Sequence, residues 1–490
     1  MSSHMLSIYV LVAMFVLATI FPINMGVIAF VGAFLVGTLV AGMQTKAIMA
    51  GFPAELFLTL VGITFLFAQA QNNGTIDWLV RLALKAVGGR IAAIPWIMFG
   101  ITALLTAVGA VSPAAVAIIA PIALGFAAKY GINPLMMGLM VIHGAQGGGF
   151  SPISIYGGIT NKVVQKAGLP ISELTTAFAS LGVNLAVSVL LFFLFGGAQL
   201  MRRRESGPGL AGIPAFNTQV AVPAQGPQLY ADAEDESFGE EKLTRARSPD
   251  ALSATGAAGG ALGGAAGGAA GAIAGGGAMA GAPVKGAAAA AGQGATMQQV
   301  FTVCGLVALA VLTLMYKLDI GFVAITIGLL LSLIAPNVQK RAITQVSWPE
   351  IMLIVGVSTY VGVMEKMGTI TFVGHSVAGL TSPLVAALLL CFVGAVVSAF
   401  ASSTAVLGSL IPLAVPFLQM GTGVDPIGFI AAMAVASTIV DVSPFSTNGA
   451  LVLANAQGVD RDVFLRQLMI YGGIVTVVAP IVVWLLFVVL

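Results

Sequence analysis

Charge is what this sequence most lacks. Of its 490 residues only 8% are Asp, Glu, Lys or Arg, against 58% hydrophobic residues, and the mean hydropathy is +1.03. That balance lies far outside the soluble globular range. Cysteine is nearly absent: Cys304 and Cys391 stand singly in apolar runs, which excludes a disulfide framework or a cysteine metal site. Three histidines, with no HExxH, no Walker A sequence and no nucleophile elbow, leave nothing for metal, nucleotide or triad catalysis, so the chain reads as a non-enzyme. A formal net charge of +2 offers nucleic acid no partner surface, and the few basic residues serve better as a topology signal.

What is there is a succession of apolar runs of about 17 to 25 residues, the length a helix needs to cross a hydrocarbon core. They lack the alternating pattern of a membrane barrel, so the chain reads as an all-α, multi-pass integral membrane protein whose first partner is the lipid bilayer. The first run, Leu6 to Phe21, has no basic leader and no small-residue cleavage site, and is expected to be a retained span. Residues 201–299 break the pattern with MRRR, a mixed-charge stretch and a Gly/Ala tract. Such a segment buries too little varied apolar surface to offset its ordering entropy, so it reads as a flexible cytoplasmic linker between a first membrane repeat, 1–200, and a second, 300–490.

The two flanks resemble one another. Gly26, Gln44, Lys46, Ala47 and Ile48 meet Gly321, Gln339, Arg341, Ala342 and Ile343 at an offset of 295. Gly62, Gly74 and Thr75 meet Gly356, Gly368 and Thr369 at 294; Ser112 and Pro121 meet Ser403 and Pro412 at 291. Pro134, Ser151, Pro152 and Ser154 meet Pro426, Ser443, Pro444 and Ser446 at 292. Four ordered matches at nearly constant offset indicate duplication.

In the first copy the pattern predicts spans at 6–22, 25–43 and 56–72, a helix pair at 91–128 hinged at Ser112-Pro113, a broken span at 133–165 and a span at 173–199. If the hinged pair re-enters, each repeat has five crossings, one of them a broken helix, and one re-entrant helical hairpin. An odd number of crossings inverts the second copy. Placing Arg202, Arg203 and Arg204 inside also places Arg81, Lys85, Arg90, Lys129, Lys340, Arg341, Arg461 and Arg466 inside, leaving Lys46, Lys162, Lys166, Lys317 and Lys366 outside. That excess favours external termini and an internal linker.

Inverted repeats with interrupted helices are a recurring design of secondary transporters, with the breaks meeting at the substrate site. Four breaks are visible: VSPAAV around Ser112, ASSTAV around Ser403, HGAQGGGFSPIS from His143 and STIVDVSPFSTNG from Ser437. Backbone without internal hydrogen bonds is tolerated at that depth only inside protein or beside a wet cavity. A half-helix starting at a break points free N–H groups and its positive dipole end at an anion, while carbonyls and hydroxyls suit a small hard cation. Singly, Ser-Pro can be a kink and GGG a close helix crossing; four breaks at repeat-matched positions favour a site. The candidate substrate residues are Ser402, Ser403, Thr404, Ser443, Thr447 and Asn448 on one side and Ser112, Gly148, Gly149, Ser151 and Ser154 on the other. Asp441 is the candidate for cation or proton coupling, since an acid at mid-helix costs roughly 2.5 to 3.5 kcal/mol on insertion scales and its charge repels a carboxylate. His143 reads as a satisfied packing residue.

At these residues the sequence resembles the ion transporter superfamily, in particular the MatC-like malonate and dicarboxylate carriers, with the divalent anion/sodium symporters more distant. The symporters' hairpin tips carry Ser-Asn-Thr; this chain keeps Ser403-Thr404-Ala405 in the second half but has Ser112-Pro113-Ala114 in the first. The broken-helix motif is matched by Ser151-Pro152 and by Ser443-Pro444 with Thr447 and Asn448. The resemblance implies a sodium ion as the only candidate cofactor, a small organic anion as substrate, a homodimer built on two scaffold regions, and transport regions that move like an elevator. The expectation is a secondary active transporter of small dicarboxylates, malonate or a C4 acid, in the cell's inner (plasma) membrane, driven by a sodium or proton gradient. The alternatives are a cation/proton antiporter of the same superfamily and a non-transporting membrane scaffold.

Overall fold

The predicted spans open on residues able to cap a helix, and the caps recur between the copies. Asn24 accepts from the Gly26 N–H at 2.9 Å, and its counterpart Asp319 accepts from Gly321 and Phe322 at 3.0 and 3.1 Å. Asn133 accepts from Met136 at 3.1 Å, and its counterpart Asp425 from Gly428 at 2.7 Å. Each cap satisfies a donor that a helix start leaves open, an effect of about 1 kcal/mol.

The computed structural model describes every residue except 1, 22, 86–89, 203–294, 381, 401, 422 and 457–458. Among the described residues there is no strand. The first copy runs α1 (Ser3–Ile20), α2 (Met25–Leu35, prolonged by a π-turn at Val36–Val40), α3 (Thr45–Met49), α4 (Ala54–Asn72), α5 (Thr75–Lys85), α6 (Ile94–Ala107), α7 (Ser112–Tyr130), α8 (Pro134–Gly148), α9 (Ile155–Lys166) and α10 (Glu173–Leu194), then the short α11 (Gly197–Arg202). The second runs α12 (Met297–Leu314), α13 (Ile320–Ile334), α14 (Pro336–Thr344), α15 (Trp348–Lys366), α16 (Thr369–Leu380), α17 (Pro383–Phe400), α18 (Ser403–Gln419), α19 (Pro426–Ile439), α20 (Thr447–Ala454) and α21 (Arg461–Trp484). Helices α1 to α10 thus recur in order as α12 to α21. Most of the predicted linker, 203–294, lies outside the described residues; at its edges α11 ends on Arg202 and α12 begins at Met297.

The helix limits fall within a few residues of the predicted spans, with α5, its counterpart α16 and the short α3, α11 and α14 as additions. α5 was not expected, because Asp77, Arg81 and Lys85 interrupt any apolar run; it instead buries one face, through Ile76 and Val80. Among the described residues five helices, Ala54–Asn72, Ser112–Tyr130, Glu173–Leu194, Met297–Leu314 and Arg461–Val489, are long and apolar enough to cross a membrane, and α14 with α15 forms a further candidate bent by 49°. Ser112–Tyr130, one arm of the predicted hairpin, is itself of crossing length.

The copies contact one another reciprocally. α4 packs on α13 and α2 on α15, while α7 packs on α20 and α18 on α9. The first two crossings are set by the glycines the repeat alignment pairs. A Cβ on Gly26 would lie 2.0 Å from the Met352 carbonyl oxygen, and one on Gly356 2.2 Å from that of Gly26; one on Gly62 would lie 2.6 Å from the Gly321 oxygen. Only glycine lets these backbones approach so closely. Polar clamps follow the same rule: Ser7 of α1 meets Thr369 at 3.0 Å, while Asn73, just before α5, donates to Thr302 of α12 at 2.6 Å. Each of these contacts thus has a counterpart with its partners exchanged.

Candidate functional site

Both broken spans turn on one motif, Ser-Pro-x-Ser-x-x-Gly, at 151–157 and 443–449. In each, the second serine's hydroxyl donates to the first serine's carbonyl, Ser154 to Ser151 at 2.6 Å and Ser446 to Ser443 at 2.7 Å. The same hydroxyls accept from the N–H of Gly157 at 3.2 Å and of Gly449 at 3.4 Å, capping α9 and α20. A Cβ on Gly157 or Gly449 would come within 2.1 or 2.0 Å of the first serine's carbonyl oxygen. The turn therefore requires glycine at its seventh position. The residue before it, Tyr156 in one arm and Asn448 in the other, sits in the first turn of the half-helix that follows.

These arms reach a common centre around Asp441. Asn448 donates to it twice, from the side-chain nitrogen at 2.9 Å and from the backbone N–H at 3.3 Å. Gln146, at the end of α8, donates through Nε2 at 3.4 Å, and the Ser403 hydroxyl, at the start of α18, also at 3.4 Å. Asn448 Nδ2 further donates to the Ser112 hydroxyl at 2.8 Å, at the start of α7. Tyr156 lies against the side chains of Thr404 and Ser112. Asp441, Asn448, Gln146, Ser403, Thr404, Ser112 and Tyr156 are each 3% exposed or less. Two acceptors in this cluster have no partner, Gln146 Oε1 and Asn448 Oδ1. An unpaired buried carbonyl carries the cost of its lost hydration, so two within one cluster mark a place able to receive a donor.

A second layer holds Gln146 in place. The Ser180 hydroxyl of α10 donates to the Gln146 carbonyl at 3.0 Å, and Asn184 donates to the Ser180 carbonyl at 2.9 Å. His143 completes it, its ring bonded to Asn184 at 2.8 Å and to the Tyr471 hydroxyl at 2.6 Å.

The structure thus gathers Ser112, Ser403, Thr404, Asn448 and Asp441 into one cluster. It places the other candidates around that cluster. Ser151, Ser154 and Ser443 spend their hydroxyls inside the turns, and Ser443 also donates to the Ala399 carbonyl at 2.8 Å, tying the break to the end of α17. Gly148 lies at a helix crossing, where a Cβ would stand 1.9 Å from the Ala103 carbonyl oxygen of α6. Gly149 faces the Tyr156 ring, and its carbonyl accepts from the Ser154 hydroxyl. Ser402 and Thr447 are partly exposed at the starts of α18 and α20. Gln146 and Tyr156 were not anticipated. A signal for Tyr156 existed, since the offset of 292 sets it opposite Asn448; Gln146 lay within the break HGAQGGGFSPIS but was not singled out.

Among known proteins, residues 1–149 match the family model of the N-terminus of the dicarboxylate carrier protein MatC. Residues 305–489 match that of the citrate transporter family. Comparison with curated proteins returns no match. Both families are carriers, so the chain is a multi-pass membrane carrier of small carboxylate anions and not an enzyme. The two matches, one on each membrane half, bear out the resemblance read from the breaks, to MatC-like dicarboxylate carriers of the ion transporter superfamily.

Proposed function

We propose that the chain moves small dicarboxylates, malonate or a C4 acid, across the inner (plasma) membrane as a secondary active transporter coupled to a sodium or proton gradient. The observation that carries this is the cluster at Asp441, where Ser403 and both broken spans donate to one carboxylate and Ser112 joins through Asn448. Ser112, Ser403, Thr404 and Asn448 are the contacts to the substrate, with Ser402 and Thr447 at the cluster's edge. Ser151, Ser154, Ser443, Gly148 and Gly149 hold the half-helix ends that face it. Asp441 is the coupling group. Its carboxylate oxygens are of the kind hard cations take, and Gln146 and Asn448 face it with their amide nitrogens.

The same reading takes the two copies as inverted, each with five crossings and a re-entrant hairpin formed by α6 with α7 or α17 with α18. The reciprocal contacts and the distribution of basic residues support inversion. A homodimer rests on the resemblance to the symporters. Uptake of labelled malonate and succinate into proteoliposomes, under a sodium gradient, a proton gradient or none, tests the proposal. Accumulation under one gradient is expected; if neither acid exceeds empty liposomes under any condition, the proposal fails. Cation flux without either acid would instead indicate cation/proton antiport.

A further inference from the structure

Asp441 is bound here much as a substrate carboxylate would be. It accepts from the Asn448 backbone N–H in the first turn of α20, from the Asn448 and Gln146 side-chain amides and from the Ser403 hydroxyl, donors from three separate elements. No arginine or lysine shares them. We infer that Asp441 is a built-in competitor for the substrate's carboxylate, occupying its donors until it is neutralised. The inference rests on the dicarboxylate reading above and assigns that site its order of events.

The argument is one of charge in a buried space. Two carboxylates cannot share one set of neutral donors away from water without a compensating charge, because each disfavours the ionised form of the other. A substrate carboxylate can therefore take these donors only once Asp441 has gained a proton or a cation and turned from them. The acceptors that a neutralised Asp441 needs are present: Gln146 Oε1 and Asn448 Oδ1 are buried and unpartnered in the same cluster. The duplication supports the assignment. Gly149 stands at the position in the first arm that matches Asp441, so the turn is built without the acid, which is an addition to it.

Calorimetric titration of malonate and succinate into the purified full-length protein at pH 8 tests this, in sodium and in choline at equal ionic strength. In the wild type, replacing sodium by choline is expected to weaken binding about tenfold or more, the scale of a typical coupling. Binding that persists in choline is expected to take up about one proton, read from buffers of different ionisation enthalpy. Asp441→Asn and Asp441→Gly are expected to bind in both media with affinities within about threefold, a difference of roughly 0.65 kcal/mol, and without proton uptake.

Variants that keep the wild-type sodium dependence would overturn the inference. So would variants that fold, by their unfolding temperature, yet bind neither acid at any sodium concentration. Should both variants unfold, wild-type binding in choline without proton uptake and without loss of affinity overturns it alone. A wild type that binds neither acid in any medium fails the dicarboxylate reading itself.

Discussion

In DVSPFSTNG the residues divide the work: two serines and a glycine build the turn, and an acid and an asparagine use it. Because Ser151-Pro152, Ser154 and Gly157 repeat the turn, the same substitution is expected to have the same effect in either arm. Gly449→Ala and Gly157→Ala press a methyl group against a carbonyl oxygen and are each expected to cost about 2 kcal/mol or more. Ser446→Ala and Ser154→Ala remove a cap and are expected to cost about 1 kcal/mol. Thermal unfolding of the purified variants measures both, and a glycine variant as stable as the wild type would contradict the turn. The serines, the prolines and Asp441 were legible because polar residues are conspicuous in an apolar chain. Gln146 was not: it is separated from Asp441 by 295 residues, and no local spacing announces a contact made only by folding.

At the scale of helices, the sequence predicted most elements because the physics that forms them is local. Apolar runs placed α2, α4, α13 and α15, and the glycines that the repeat alignment pairs proved to sit where those helices cross. α5 escaped because a helix buried on one face alternates polar with apolar residues and never forms a run. The proposed inversion of the second copy has its own test. Ser3 and Gln298 occupy matching, exposed positions at the starts of α1 and α12. With Cys304 and Cys391 replaced by alanine, a single cysteine at position 3 is expected to react with an impermeant maleimide in intact cells. One at position 298 is expected to react only after permeabilisation. Equal labelling of both from outside would show the copies to be parallel.

Across the whole molecule, the two halves close into one compact unit, and each carries an incomplete site. The first supplies Ser112, Gln146 and Tyr156; the second supplies Ser403, Thr404, Asp441 and Asn448. Neither half holds both the acid and the amide that leaves Gln146 Oε1 beside it, which explains why a duplicated architecture can still have one asymmetric centre. That the two halves match two different carboxylate-carrier families is consistent with copies that have diverged around a shared task. The most direct test of the account is a structure by electron cryomicroscopy of the full chain with malonate and sodium. It is expected to show a malonate carboxylate within hydrogen-bonding distance of Asn448 and Gln146, between the two broken spans. Malonate bound elsewhere, with Asp441 still held by Asn448, would contradict it.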